Sequence, residues 1–551
     1  MTRTQTWVAL AALLATCFVG LGRDVWTPDE PREVEIGREM WLAPTVVPTL
    51  NEQRFVEKPP LYYWAVAGAY AAFGSPSAAA ARAVSALAAF ATLVLVVYWG
   101  RRAFSPAVGV AAAVALVTSA QFMWTSHWIV MDSLLMVFTT AALWSGHELV
   151  RGGANRKWLL IFYAAVLAAL WTKGLIGPVL IAVALLAYAA ARRSFAVLKP
   201  LHPFAGAAFV LLMVGALAAA IAADAGSDAV REWLWVNHVE RVTNPVTTGH
   251  DQPVLYYLWT LPAAVFPWWL PFGALFRPST WREPTVWRDA KVFFGAASIG
   301  MVLLLSVPAT KRGLYLMPVL PPLLLLLAAV AAEWWMKTPS PRLTSAAWLA
   351  QSALVAVFAA VPAAFALGYL HVVDARAVLY LVVAWSLLGA LAFYSLRGDG
   401  ARALATLGVA AVAGVVGLLV AVVPLAAPRK DMSPFLSWVD EQVPADEPKI
   451  YVLGEVDETL DGIVPFVTGR HAVAVAADQI ETLEPRFVLV QGKNGAKTAV
   501  TLAAPYAQLR SHGIGDDRYL ALWSRTGDAP HASDEPRASD EAPTPSSSTE
   551  P

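Results

Sequence analysis

Residues 56–64 read Val56-Glu57-Lys58-Pro59-Pro60-Leu61-Tyr62-Tyr63-Trp64, which places an ion pair and a diproline directly before an aromatic-rich segment. Because proline fixes its own φ, Pro59 and Pro60 restrict the backbone that follows the Glu57–Lys58 pair. Upstream, the block Asp29-Glu30-Pro31-Arg32-Glu33 and Glu35 follow the first apolar segment. Two clusters of carboxylates and cations in one loop predict a polar site at a membrane surface.

The composition is that of a polytopic membrane protein. Hydrophobic residues make up 58% of the 551 residues and charged residues 15%, and the formal net charge is +0. Such a chain is not a water-soluble domain, and its balanced charge argues against a nucleic acid partner. The single cysteine, Cys17, excludes an intrachain disulfide and a cysteine-based metal site.

Apolar stretches long enough to cross the hydrocarbon core predict about thirteen transmembrane helices. We place them at 6–22, 82–99, 106–122, 132–150, 157–172, 174–191, 202–223, 256–276, 292–309, 313–332, 345–369, 376–396 and 403–426. The N-terminal segment 1–22 resembles a signal peptide, but no clean small-residue cleavage site follows, so we expect a retained anchor.

Loop charges predict the orientation of these helices. Lys and Arg collect between alternate spans, and the positive-inside rule assigns those loops to the cytoplasm. The loops 23–81, 123–131, 224–255, 310–312 and 370–375 and the chain after about 427 are then external. The external side nevertheless holds basic residues, which predict an anionic ligand there: Lys58, Lys173, Arg241, Lys311 and Arg312.

The chain changes character after Pro428. We expect a transmembrane domain over 1–427, a small periplasmic α/β domain over 428–526 and a disordered tail over 527–551, which is rich in Pro, Ser, Asp and Glu. Strands are predicted at 449–453, 472–476 and 486–490, and helices near 433–442 and 456–467. Residues 59–73 predict a helix along the outer membrane face, and its Tyr62 and Tyr63 predict part of an interfacial aromatic belt.

Several motifs carry a family resemblance. The run from Trp26 to Met40, followed by Arg54 to Trp64, resembles the first external loop of the lipid A aminoarabinose transferases, which belong with the protein mannosyltransferases in the GT-C superfamily. The match continues in order through Met131-Asp132, Trp171-Thr172-Lys173-Gly174, Trp235 to His238 with Arg241, His250 to Tyr257, Pro267-Trp268 and Lys311 to Pro318. One residue departs from the family pattern: Glu33 follows Arg32 where the family usually carries Tyr.

The resemblance implies a GT-C fold and a glycosyltransferase of the bacterial cell inner membrane. Such an enzyme moves a sugar from polyprenyl (undecaprenyl) phosphate to lipid A, in lipopolysaccharide modification, or to another envelope glycan or protein. Cleavage of the glycosidic bond passes through an oxocarbenium-like state with phosphate as leaving group, and nearby cations stabilise the charge that phosphate gains. No cofactor is required, although Glu57 and His250 are candidate ligands for a divalent metal.

The implied site combines catalytic and substrate-binding residues. We expect Asp29, Glu30 and Lys58 to be catalytic, with Asp29 deprotonating a hydroxyl acceptor or offsetting developing positive charge. The donor phosphate and substrate are expected to contact Arg32, Glu57, Asp132, Lys173, Arg241, His250, Tyr256, Lys311, Arg312 and Tyr315.

Structural alternatives exist for several of these residues. Asp29 could serve only as the N-cap of a helix over 31–41, and Asp132 could cap the span that it opens. Glu57 and Lys58 could form a surface pair worth under about 1 kcal/mol, and Lys173 could be a snorkelling lysine. No HExxH or paired-Asp spacing supports a metal site.

Two other functions remain open. Protein O-glycosylation uses the same donor chemistry and is the alternative within enzymes. A transporter or flippase of lipid-linked sugars is the alternative from another class. Against transport, the sequence shows no inverted repeat, and its charges lie in external loops rather than at the membrane midplane.

Overall fold

The computed structural model describes residues 3–240, 251–269, 272–282, 285–337, 353, 400–493, 502, 504–514 and 518–526. The chain forms two compact units. The first comprises Met1–Ser433 with Asp457–Val467, and the second comprises Pro434–Val456 with Thr468–Pro551. Residues 457–467 therefore group with the first unit, although in the sequence they lie inside the predicted C-terminal domain.

The first unit is built from helices. Those of its first half are α1 (Arg3–Phe18), α2 (Glu30–Leu42), α3 (Leu61–Phe73), α4 (Ala78–Ala103), α5 (Pro106–Val117), α6 (Ala120–Ser126), α7 (Asp132–Gly152), α8 (Arg156–Lys173), α9 (Ile176–Ala191), α10 (Pro203–Ala225) and α11 (Ser227–Arg231). Further helices cover Tyr256–Val265, Phe272–Leu275, Pro278–Arg282, Arg288–Ser306, Leu320–Lys337, Gly400–Gly417, Ala427–Lys430 and Glu458–Thr468. Shorter 3₁₀ or π-helical segments cover Phe195–Leu201, Glu232–Glu240, Gly313–Val319, Leu418–Val422 and Val423–Ala426.

Polar caps begin several of the apolar helices. The Ser77 side chain accepts from the Ala80 N–H at the start of α4, and the Ser105 side chain accepts from the Val108 N–H at the start of α5. Asn155 accepts from the N–H groups of Lys157 and Trp158 at the start of α8. Each cap satisfies donors that the first helical turn leaves without a partner, so these boundaries are encoded locally.

The number of predicted crossings is not confirmed. Among the described residues, five helical stretches are long and apolar enough to span a membrane: Ala78–Ala103, Pro203–Ala225, Arg288–Ser306, Gly313–Trp334 and Gly408–Leu425. The pair formed by α5 and α6 adds a sixth if it counts as one span. Except for residue 353, the predicted spans at 345–369 and 376–396 lie outside the described residues.

Two predicted spans are not continuous helices. The segment 106–122 bends by 67° between α5 and α6, where the Thr118 and Ser119 hydroxyls donate to the carbonyls of Val114 and Leu116 and so compete with the helical bonds. The segment 256–276 breaks after Val265, because Pro267 disfavours helical backbone at the preceding residue. Phe266 is accordingly extended, with φ −53° and ψ 136°.

The loop between α1 and α4 folds into α2, a short hairpin and α3. The hairpin pairs β1 (Thr49–Leu50) with β2 (Gln53–Arg54) in antiparallel register. Tyr62 and Tyr63 of α3 are fully buried, with their rings edge to face at 5.7 Å between centroids. Their assignment to an interfacial belt is therefore wrong: both rings pack inside the protein.

The second unit contains a five-stranded sheet in the order β4-β3-β5-β7-β6. Its strands are β3 (Lys449–Leu453), β4 (His471–Val475), β5 (Phe487–Lys493), β6 (Tyr506–Ile514) and β7 (Arg518–Arg525). β3 pairs in parallel with β4 and β5, and β7 runs antiparallel to β5 and β6. The strands predicted near β3, β4 and β5 and the helix at Ser433–Gln442 are confirmed, whereas β6, β7 and the helix Ala477–Leu483 were not predicted.

Candidate active site

Asp29 precedes α2, and its carboxylate faces Arg312 instead of the helix backbone. Nη1 and Nη2 of Arg312 donate to Oδ1 and Oδ2 of Asp29 at 3.1 and 2.5 Å. In the described start of α2 the Asp29 side chain makes no capping hydrogen bond, so the reading of Asp29 as only an N-cap is wrong. The Asp29 and Arg312 side chains are 15% and 27% exposed, which leaves the pair accessible to a ligand.

An open cavity of about 320 Å³ adjoins this ion pair. Its lining consists of Pro28, Asp29, Gln121, Trp124, Thr125, Trp128, Val130, Arg312, Gly313 and Leu314. The Trp124 and Trp128 rings lie 4.9 Å apart between centroids. Gly313 keeps one wall open, since a Cβ there would lie 2.8 Å from the amide oxygen of Gln121. Apolar walls with a few convergent polar groups are typical of small-molecule sites.

Asp132, Lys173 and Tyr315 meet at the ends of three helical segments. Nζ of Lys173 donates to Oδ1 of Asp132 at 2.6 Å and lies 4.7 Å from the centroid of the Tyr315 ring. The side chains of Asp132 and Lys173 are 4% and 14% exposed. Lys173 is thus held inside the protein by a carboxylate and an aromatic face, not extended to the surface as a snorkelling lysine would be.

Glu57 and Lys58 form a half-buried pair immediately before α3. Nζ of Lys58 donates to Oε2 of Glu57 at 3.1 Å, and the side chains are 24% exposed for Glu57 and 15% for Lys58. A fully solvated surface pair would be more exposed. The two prolines after Lys58 join this pair directly to the buried tyrosines of α3, which restricts where the ammonium can point.

Tyr257 contacts the backbone of Arg312, whereas the sequence predicted its neighbour Tyr256 as a binding residue. Tyr257 is buried, and its hydroxyl donates to the carbonyl oxygen of Arg312 at 3.2 Å. Tyr256, the predicted binding residue, packs edge to face against Tyr257 at 5.1 Å between ring centroids. Of the two rings, Tyr257 supports the arginine that faces Asp29.

Glu30 is fully buried, and its position corrects the expectation that it is catalytic. Its carboxylate accepts from Arg23 at 2.7 and 2.9 Å, from Arg82 at 3.0 Å, and from the N–H groups of Trp26 and Ile129 at 2.8 and 3.1 Å. Arg82 is itself fully buried and also donates to the carbonyls of Leu21, Arg23 and Asp24. A carboxylate with these partners has no remaining access to a substrate. Glu30 instead holds the loop that carries Asp29.

Arg32 has a different role from the expected contact with donor phosphate. Its Nη2 donates to Oε1 of Glu33 at 2.7 Å, and its Nη1 donates to Oε2 of Glu458. Two carboxylates around one guanidinium leave no positive excess for a phosphate. Burial raises the pKa of Glu33, and the Arg32 charge opposes this rise. Arg32 therefore joins α2 to the Glu458–Thr468 helix of the same unit.

Lys311 is also not a phosphate ligand in this structure. The residue is 2% exposed, and its Nζ donates to the carbonyl oxygens of Gln252, Pro308 and Ala309. An ammonium has three N–H donors, and these three backbone acceptors account for them. The prediction for Lys311 is corrected, because the residue closes the loop before Arg312.

The candidate metal ligands are only partly described. Arg241 and His250 lie outside the described residues. Over the described ranges, no group of three His, Cys, Asp or Glu residues is arranged to hold a metal ion. His238 contacts the carbonyl oxygen of Trp233 through Nδ1 at 2.7 Å and accepts from the Leu175 N–H through Nε2 at 3.2 Å. Both ring nitrogens of His238 therefore contact backbone groups.

Sequence reasoning predicted Asp29 and Arg312 but missed the part of the cavity wall that α6 supplies. Gln121 and Thr125 share a hydrogen bond of 2.8 Å on α6, and Trp124 is 48% exposed beside them. The available signal was the polar run Thr118-Ser119 within a predicted apolar span. That run marks the bend that turns α6 toward Arg312.

Comparisons with known proteins show which families this chain resembles. A family model described as dolichyl-phosphate-mannose-protein mannosyltransferase matches residues 57–218. The undecaprenyl phosphate-alpha-4-amino-4-deoxy-L-arabinose arabinosyl transferase of Edwardsiella ictaluri (strain 93-146) is 28% identical over 332 residues, covering 59% of this chain and 59% of the relative. The protein of the same name from Yersinia pestis (strain Pestoides F) is 31% identical over 333 residues, covering 57% of each chain. The matched region thus spans less than two thirds of these relatives.

A solved structure shares the fold over nearly the whole chain. ArnT from Cupriavidus metallidurans bound to undecaprenyl phosphate superposes with a TM-score of 0.73 and 20% sequence identity, covering 95% of this chain and 98% of that one. The resemblance predicted from the loop motifs is confirmed: this chain is similar in sequence to the aminoarabinose transferases, and its fold is the GT-C fold of ArnT.

Proposed function

We propose that this chain is an integral membrane glycosyltransferase that moves a sugar from an undecaprenyl phosphate donor to lipid A or another cell-envelope acceptor. The observation that carries the proposal is the Asp29–Arg312 pair at the wall of an open cavity. The named relatives transfer arabinosyl groups from undecaprenyl phosphate, and the fold is that of ArnT.

The residues at the cavity suit a displacement at the anomeric carbon. The bond between that carbon and the phosphate oxygen breaks, and its electron pair leaves with the phosphate. An acceptor oxygen forms the new bond to the anomeric carbon, and a hydroxyl acceptor gives its proton to Asp29. Arg312 then has two roles: it orients Asp29 before reaction and stabilises the phosphate as its charge grows.

The remaining cations supply the rest of the proposed donor site. Lys58 beside Glu57 and Lys173 beside Asp132 each keep a carboxylate partner within hydrogen-bond distance. A paired lysine uses one N–H donor on its carboxylate and can share its remaining donors with a phosphate oxygen. We assign Lys58 to the donor phosphate and the Asp132–Lys173–Tyr315 group to positioning the donor near Arg312.

The proposed location is the periplasmic face of the bacterial inner membrane. Asp29, Lys58 and Arg312 fall in loops that the positive-inside rule assigns to the exterior. The same assignment places the α/β domain at 428–526 in the periplasm, after a transmembrane domain over 1–427.

The function is tested by reconstituting the purified chain in proteoliposomes with undecaprenyl phosphate-4-amino-4-deoxy-L-arabinose and lipid A. Mass spectrometry should show lipid A heavier by one aminoarabinose residue, and the Asp29→Asn protein should give none. If the wild-type chain modifies neither lipid A nor total envelope glycolipid supplied with a panel of undecaprenyl phosphate sugars, the proposal is wrong.

Protein O-glycosylation is a second candidate because the matching family model is named for protein mannosyltransferases. The two candidates differ only in the acceptor. The same proteoliposomes supplied with periplasmic protein in place of lipid A separate them: sugar on serine or threonine, with unmodified lipid A, would favour the second.

A further inference from the structure

The helix Glu458–Thr468 contacts two parts of the loop that carries Asp29 and Lys58. In the sequence it stands between β3 and β4 of the second unit, yet residues 457–467 group with the first unit. Asp457 caps its start, with Oδ1 accepting from the N–H groups of Thr459 and Leu460 at 3.1 and 3.0 Å. The helix is thus locally well formed where it meets the loop of Asp29.

The first set of contacts is to the beginning of α2. Nη1 of Arg32 donates to Oε2 of Glu458, and the Thr459 hydroxyl donates to the carbonyl oxygen of Pro28 at 3.5 Å. Gly462 allows the closest approach, because a Cβ there would lie less than 3.0 Å from backbone atoms of Pro31 and Arg32. The backbone on either side of Asp29 is therefore in direct contact with this helix.

The second contact is to the hairpin that leads to Lys58. Nδ2 of Asn51 donates to Oδ1 of Asp461 at 2.8 Å. Asn51 and Glu52 both have left-handed backbone, with φ of 52° and 64°, as a two-residue hairpin turn of this kind requires. The Glu52 N–H donates to Oε1 of Glu39 near the end of α2 at 2.9 Å. The turn is thus tied to the Glu458–Thr468 helix on one side and to α2 on the other.

We propose that the Glu458–Thr468 helix positions the two halves of the active-site loop, with Glu458, Asp461 and Gly462 as positioning residues. The inference rests on the proposed function for its catalytic consequence. A half-exposed ion pair contributes little alone, but here three contacts act on one loop. Separation of the helix from α2 displaces Asp29 relative to Lys58, and small misplacements of reacting groups lower catalytic rates strongly.

The test combines kinetics with a readout that does not require activity. Glu458→Ala and Gly462→Ala should each lower kcat about tenfold or more, while KM for the lipid-linked donor changes less than about threefold. Gly68→Ala is the matched control, since an added Cβ there meets nothing within 4 Å.

Hydrogen exchange separates failure of this inference from failure of the proposed function. The amides of residues 29–35 and 49–54 should exchange faster in Glu458→Ala and Gly462→Ala than in wild type, whereas those of β3 and β5 should not change. Unchanged exchange in both segments in both variants would overturn the inference even if transfer is absent throughout. Wild-type kcat in both variants would overturn it as well.

Discussion

Asp29 and Arg312 are 283 positions apart in the chain, yet their side chains meet in a paired contact through both carboxylate oxygens. The planar guanidinium matches the carboxylate in geometry as well as charge, so the contact fixes the direction in which Asp29 points. The Tyr257 hydroxyl donates to the carbonyl oxygen of Arg312. The reactive carboxylate of the proposed enzyme is thus oriented by a segment far from its own loop.

Asp29 and Glu30 are adjacent acids. We expect substitution of Asp29 to lower activity and substitution of Glu30 to lower stability. Asp29→Asn should lower transfer by about a hundredfold or more, since an amide can neither accept the proton nor offset charge. Glu30→Ala should instead lower the free energy of unfolding by about 3–5 kcal/mol, because it leaves buried arginine charge without its partner. Thermal unfolding in detergent and single-turnover assays separate the two effects. Near-wild-type turnover in Asp29→Asn would remove the catalytic assignment.

Lys58 should act on the donor phosphate. Lys58→Ala is expected to reduce transfer about a hundredfold or more, because a charge-assisted contact of about 1.5–3 kcal/mol is lost and its strengthening in the transition state is lost too. Lys58→Arg should recover part of the activity, since it keeps the charge in a different shape. Transfer rates in reconstituted membranes provide the measurement. If both variants match wild type, the donor phosphate lies elsewhere.

Lys311 and Arg312 are neighbours with different partners. We therefore expect Arg312 variants to lose activity and Lys311 variants to lose stability. Arg312→Lys should lower kcat about tenfold or more, because an ammonium cannot make both bonds to Asp29. Lys311→Met should mainly lower thermal stability, because three backbone carbonyls lose their donor. Comparing kcat with the unfolding temperature distinguishes them. A larger kcat loss in Lys311→Met than in Arg312→Lys would contradict the assignment.

We expect the carboxyl of Asp461 to make the free energy of unfolding depend on pH. Burial raises the pKa of its carboxyl above the ordinary value, and the charges of Asp457 and Glu458 raise it further against the hydrogen bond from Asn51. A raised folded pKa means that the folded state binds the proton more tightly than the unfolded state. This group therefore favours folding most below its ordinary pKa, and that contribution falls as pH rises through the raised value.

Asp461→Asn keeps the acceptor for Asn51 and removes the titration. Relative to wild type, its unfolding temperature should therefore increase as pH rises from the ordinary aspartate range upward. Thermal unfolding followed in detergent at a series of pH values measures the difference. A constant difference across that series would show that Asp461 does not titrate differently in the folded protein.

The loop charges predict which segments face outward. With Cys17 replaced, a cysteine introduced within 224–240 should react with an impermeant thiol reagent in intact spheroplasts, whereas one within 277–282 should not. Labelling of whole cells against lysed cells provides the comparison. The reverse pattern would place the proposed site on the cytoplasmic face.

The local features of this protein were predictable from sequence. Apolar runs and loop charges indicated a multi-helix membrane protein, and the motifs around Asp29 and Lys58 marked the loop that we propose for the site. The strand at Lys449–Leu453 and the helix at Ser433–Gln442 were predicted at the bounds observed. These features depend on residues close together in the chain, where periodicity and turn chemistry act.

The sequence alone determined which loop residues carry charge, but only the tertiary structure decided what each charge does. Glu30, Arg32 and Lys311 looked as available as Asp29 and Arg312, yet in the folded chain the first three are paired with other groups of the protein. The physical reason is that a side chain's pairing depends on which distant segment packs beside it. Hydropathy and spacing indicate that burying a charged side chain costs free energy. The partner that offsets this cost comes from a distant part of the chain, so only the folded structure identifies it.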